Sequence, residues 1–118
     1  MRGSIVICAL EELVQFLSSE IYVELESFDN VKDIVSDYLN GKEIDGREMR
    51  RMFTLSIIPD NRLFFGALYN PTIPSIRAVL SLLKYLSTKK GVISVHWHKG
   101  NQVYKFDFSE RKMTLAEL

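Results

Sequence analysis

The sequence predicts an α+β domain in the order α-β-α-β-β-α-β-β, a mostly antiparallel sheet with helices packed on one face. Two kinds of pattern carry the prediction. Apolar residues recur at helical spacing in segments separated by others that alternate with the period of a strand, and the connections are short. With 118 residues, 47% of them hydrophobic, the chain suits one domain spanning 1–118 around one core.

Leu10, Leu13, Val14 and Leu17 share a helical face within Ser4 to Leu17, with Glu11, Glu12 and Gln15 turned away. Ile21, Val23 and Leu25 then alternate with Tyr22, Glu24 and Glu26, which predicts a strand with one buried side. Asp29 or Asn30 is expected to cap the next helix, whose stripe is Val31, Ile34, Val35, Tyr38 and Leu39. Asn40-Gly41 closes it, and Lys42 to Arg47 reads as a polar connection.

Met52 to Ile58 and Leu63 to Tyr69 are rich in strand-forming residues, and Pro59-Asp60-Asn61-Arg62 between them predicts a hairpin. Thr72 and Pro74 open a helix that runs toward Gly91 with Ile76, Val79, Leu80, Leu83 and Leu86 as its stripe, widened by Leu82 and Tyr85. A final hairpin pairs Val92 to His98 with Val103 to Phe108. It sets Ile93, Val95 and Trp97 beside Tyr104, Phe106 and Phe108, and leaves Ser94, His96, His98, Lys105 and Asp107 on the other face.

The central hairpin is apolar on both sides. Phe53, Leu55 and Ile57 load one face, while Ile58, Phe64 and Leu68 load the other. The second face therefore needs a cover, supplied either by the N-terminal helix or by another subunit, and Ile58, Phe64 and Leu68 are the candidate partner-binding residues.

Charge divides unevenly. Residues 1–46 hold ten acids and three bases, net −7, and residues 47–118 hold twelve bases and five acids, net +7. The basic part can attract phosphate, or the two parts can neutralise each other across the fold. Chemistry is sparse: His96 and His98 could supply two metal ligands with Asp107 nearby, but a solvated surface pair is the simpler reading, and no metal or other cofactor is called for. No phosphate loop, nucleophile elbow or paired-carboxylate motif occurs, so binding rather than catalysis is expected. The lone Cys8 and the short apolar run Ile5 to Leu10 fit a cytoplasmic chain with no membrane span.

The stretch from Tyr22 to Leu86, with Val23-Glu24-Leu25, the helix Val31 to Leu39, the strand Leu63 to Ala67 and Ser75-Ile76-Arg77-Ala78-Val79-Leu80, resembles the small dimerising (Pcc-type) subunit of the KEOPS complex. That complex makes threonylcarbamoyl-adenosine on transfer RNA. The resemblance implies a non-catalytic dimerising accessory subunit that contacts a second copy or paralogue and tRNA. A winged helix is the alternative, with Thr72 to Leu86 as recognition helix, Val92 to Phe108 as wing and residues 63–69 helical. Under either reading Arg77, Lys84, Lys89, Lys90 and Lys99 are the candidate phosphate contacts, to tRNA or to duplex DNA. Under a third, more distant resemblance, to STAS-like regulators, Thr72 or Ser75 would accept phosphate.

Overall fold

A computed structural model describes residues 20–68, 73–99, 101–108 and 112–117, and side-chain surroundings for 20–68, 77–98 and 101–108. The helix expected at Ser4 to Leu17 lies outside the described residues. The chain runs β1 (Glu20–Leu25), α1 (Phe28–Leu39), β2 (Glu43–Ile44), β3 (Arg47–Glu48), α2 (Met49–Met52), β4 (Phe53–Ile58) and β5 (Arg62–Ala67). It continues through α3 (Ile73–Thr88), β6 (Val92–Lys99), β7 (Gln102–Asp107) and β8 (Lys112–Glu117).

Six strands form one sheet in the order β4-β5-β1-β6-β7-β8, antiparallel throughout, and β2 and β3 form a separate two-stranded ribbon. The first four strands of the sheet, with α1 and α3, reproduce the split β-α-β-β-α-β arrangement. β1 is central because both of its edges are paired, to β5 and to β6. The α+β class and the antiparallel sheet are as the sequence predicts.

Alternation along the strands sets the core. Ile21 and Val23 of β1, Phe53 of β4, Leu63 and Phe65 of β5, Val95 and Trp97 of β6 and Phe106 of β7 are fully buried on one face. Val31 and Ile34 of α1 and Leu82, Leu83 and Leu86 of α3 pack on that face in a single cluster. Burying each such aliphatic side chain contributes roughly 1.5–3 kcal/mol relative to exposure.

Local structure departs from expectation in three places. The cap of α1 is Ser27, whose Oγ accepts from the Asn30 amide at 3.4 Å, so the helix starts before Asp29 and Asn30. The polar connection at 42–47 holds the β2–β3 ribbon, turned by Asp45 and Gly46 with φ of 51° and 80°, the two-residue left-handed pair favoured in tight hairpins. Lys112–Glu117 adds β8 beyond the expected final hairpin. Arg62–Ala67 is a strand paired residue by residue with β4, as the predicted hairpin requires, and the winged-helix alternative, which needs these residues helical, is not met. Phe64 and Phe65 favour the extended form, Gly66 disfavours a helix, and Asp60 and Asn61 adopt the positive φ of the turn.

The C-terminal end of α3 is tied to α1 by polar contacts. Lys89 Nζ lies 2.7 Å from Asp33 and 3.1 Å from Asp37, and the Tyr85 hydroxyl donates to Asp37. Asn30 Nδ2 donates to the Lys90 carbonyl at 3.2 Å, and Gly91 follows with φ of 87°. A β-carbon on Gly91 would meet the Asn30 side chain at 2.2 Å, so only glycine satisfies both the backbone and the space.

Candidate functional site

The sheet face opposite the helices carries the candidate site. Register places Tyr22 of β1 between Phe64 of β5 and His96 of β6, all on this face. The Tyr22 and Phe64 rings are 5.0 Å apart, and Tyr22 stacks on His96 at 4.8 Å with planes 4° apart. His98 meets both Tyr22 and His96 edge-on, at 5.5 and 5.6 Å. The result is a continuous strip of four rings across three strands, a geometry favourable to aromatic packing.

Ile58 and Leu68, predicted as partner-binding residues with Phe64, share this face by alternation. Ile58 and Phe64 are half-buried and Leu68 is 47% exposed. Gly66 separates Phe64 from Leu68. A side chain there would meet Thr54 Oγ1 at 2.9 Å, and that hydroxyl lies 3.3 Å from the Gly66 carbonyl as donor. Ser94, buried on the same face opposite Glu24, has no hydrogen-bond partner for its Oγ among the described residues.

Charge on this face is balanced. Glu24 Oε1 lies 3.6 Å from Lys105 Nζ and 4.0 Å from His96 Nδ1. Burial depresses the His96 pKa below its ordinary value. Glu24 opposes that shift, while His98, Arg62 and Lys105 reinforce it, so the neutral form of the imidazole stacked on Tyr22 is favoured. Asp107 sits opposite Ser94 rather than beside the histidines, and no three His, Cys, Asp or Glu side chains gather into a possible metal site among the described residues.

The predicted phosphate-contacting residues lie elsewhere, on and beyond α3, which covers the opposite face. Arg77 and Lys84 are exposed and one heptad apart, hence on one side of the helix, and Lys90 is exposed in the following turn. Lys99 ends β6. Lys89 differs: its side chain is only 21% exposed and its ammonium is neutralised by two carboxylates. Its pKa is raised, chiefly by the Asp33 contact, with Asp37 adding to it against a smaller effect of burial. Burial pushes Asp37 upward, but the Tyr85 and Lys89 hydrogen bonds outweigh it and hold the carboxyl below its usual range. Burial and the bond to Asp37 drive the Tyr85 phenol strongly upward. The acidic and basic parts of the sequence thus neutralise each other here and at Glu24–Lys105.

Tyr22 was not among the predicted site residues. Its signal was present: an aromatic residue stands on the polar phase of the β1 alternation. The Asp33–Asp37–Tyr85–Lys89 cluster joins residues far apart in sequence, and no local pattern announces it. Searches with this chain match no family model, no curated protein and no solved structure. Among the described residues no helix is long and apolar enough to cross a membrane.

Proposed function

We propose that this chain is a non-catalytic accessory subunit of a KEOPS-like tRNA-modifying assembly, working by protein contact through the sheet face opposite α1 and α3 and by tRNA contact. The observation that carries the reading is the ring strip Tyr22–Phe64–His96–His98 flanked by Ile58 and Leu68, set on the face opposite α1 and α3. Aromatic and aliphatic side chains concentrated at the centre of a flat surface are what a protein partner anchors on. The protein partner is a second copy or a paralogue. Arg77, Lys84, Lys90 and Lys99 supply the phosphate contacts to tRNA, and Lys89 drops out of that set because Asp33 and Asp37 hold it. The work is cytoplasmic.

Reconstitution tests the reading. Threonylcarbamoyl-adenosine formation on tRNA is measured with the catalytic subunits of such an assembly, with and without this chain. Stimulation by the chain that is lost in Phe64→Asp is expected. Equal product with and without the chain would remove the proposed role.

A further inference from the structure

β4 is an edge of the six-stranded sheet among the described residues, and its backbone groups divide by alternation. The Met52 carbonyl accepts from the Leu68 amide at 3.0 Å, and the β4–β5 register continues unbroken from that pair. Thr54, Ser56 and Ile58 therefore turn their amides and carbonyls toward β5, while those of Phe53, Leu55 and Ile57 point away from the sheet. Phe53 is satisfied within the chain, since its amide donates to the Met49 carbonyl and its carbonyl accepts from the Tyr38 hydroxyl at 3.1 Å. Leu55 and Ile57 have no backbone partner outside the sheet among the described residues.

The usual devices that blunt an edge are missing from this stretch. Phe53-Thr-Leu-Ser-Ile-Ile contains no lysine, proline or carboxylate, and its pairing with β5 shows no bulge. The Ile57 side chain, on the helix-bearing side, is 57% exposed.

We infer that this edge pairs antiparallel with the same edge of a second copy, about a two-fold axis at Ser56. Two outward-facing residues flank Ser56 symmetrically, so the two-fold sets Leu55 opposite the partner's Ile57 and Ile57 opposite the partner's Leu55. Both amides and both carbonyls left over on each copy then find a partner, and the exposed Ile57 gains an apolar neighbour on the same side of the sheet. The strand is thus its own complement, which an unrelated extended peptide need not be. The inference rests on the proposed function only for the expectation that the chain pairs with its own copy. It moves that pairing from the ring-bearing face to the strand edge and leaves the ring-bearing face, with Phe64, to a paralogue or catalytic subunit.

Sedimentation equilibrium over a range of concentrations tests it on the full chain, comparing wild type with Ile57→Pro, Ile57→Lys and Phe64→Asp. Proline at 57 removes an outward amide and spares the β4–β5 ladder, and lysine places a charge on the edge without touching the backbone, which guards against a folding defect in the first variant. The wild type is expected to dimerise, and both Ile57 variants to weaken the dimer about tenfold or more, with Phe64→Asp unchanged. A wild type that stays monomeric, or a dimer that survives both Ile57 changes, overturns the edge pairing. Dissociation by Phe64→Asp alone would also overturn it while leaving the proposed function standing. A dimer lost only in the Ile57 variants, combined with no effect of the chain on tRNA modification, would keep the pairing and remove the function.

Discussion

The two faces of one sheet behave as different materials. On the helix side, Ile21, Val23, Leu63, Phe65, Val95, Trp97 and Phe106 are fully buried against α1 and α3. On the other side, the neighbouring positions Tyr22, Phe64 and His96 pack ring against ring and remain partly accessible, with Leu68 and the Glu24–Lys105 pair around them. A core face gains from complete burial, whereas a face that keeps large apolar groups partly accessible is a candidate contact surface.

Phe64 and Phe65 give the sharpest contrast, being adjacent in sequence and on opposite faces. Phe65→Ala should cost about 3–5 kcal/mol in chemical denaturation, because it empties a site in contact with Phe53. Phe64→Ala should cost about 1 kcal/mol. Equal losses would show that the ring face is as much core as its opposite. On the helix side, Leu83→Ala should lower stability by about 2–5 kcal/mol, read from the same denaturation curves, since Leu83 is fully buried. An unchanged transition would mean that the α3 stripe is misplaced.

A smaller loss, about 1–3 kcal/mol, is expected from Gly91→Ala, which strains a positive φ and collides with Asn30. If that variant melts like wild type, the α1–α3 clasp is not rigid.

The smallest effect separates the faces by pH. His96 is depressed in the folded state, so the unfolded chain binds more protons as pH falls through the ordinary histidine value of 6.5. Its contribution is complete above that value and declines below it, down through the folded pKa. Asp37, held low, contributes above its ordinary value of 3.8 and is lost only in stronger acid. Melting followed between pH 7.5 and pH 5 should therefore decline in wild type and flatten in His96→Gln, while Asp37→Asn leaves that slope intact. A slope that persists without His96 would assign it to another group.

Much of the fold is legible in the sequence wherever one period dominates. The β1 alternation, the α3 stripe and the turn at Pro59 to Arg62 each state their structure locally. The ribbon at 43–48 escapes because its two-residue arms are too short to show a period, although Asp45-Gly46 is its turn signal. The insertion of β1 between β5 and β6 escapes for a different reason: hairpins predict neighbours in sequence, and this pairing is set by the shared core. Of the candidate surface, Ile58, Phe64 and Leu68 follow from strand parity. Tyr22 and its stacking on His96 need the sheet order, which brings β1 and β6 together.

The most direct test of the account is the affinity of this chain for the catalytic subunit of a KEOPS-type assembly or a paralogous small subunit, measured by calorimetry with wild type and Phe64→Asp. Both forms should show the same melting temperature within a few degrees. The account predicts binding by the wild type that weakens about tenfold or more in the variant. Equal affinity of the two forms, or no binding to any such subunit, would contradict the claim that the ring-bearing face is the working surface.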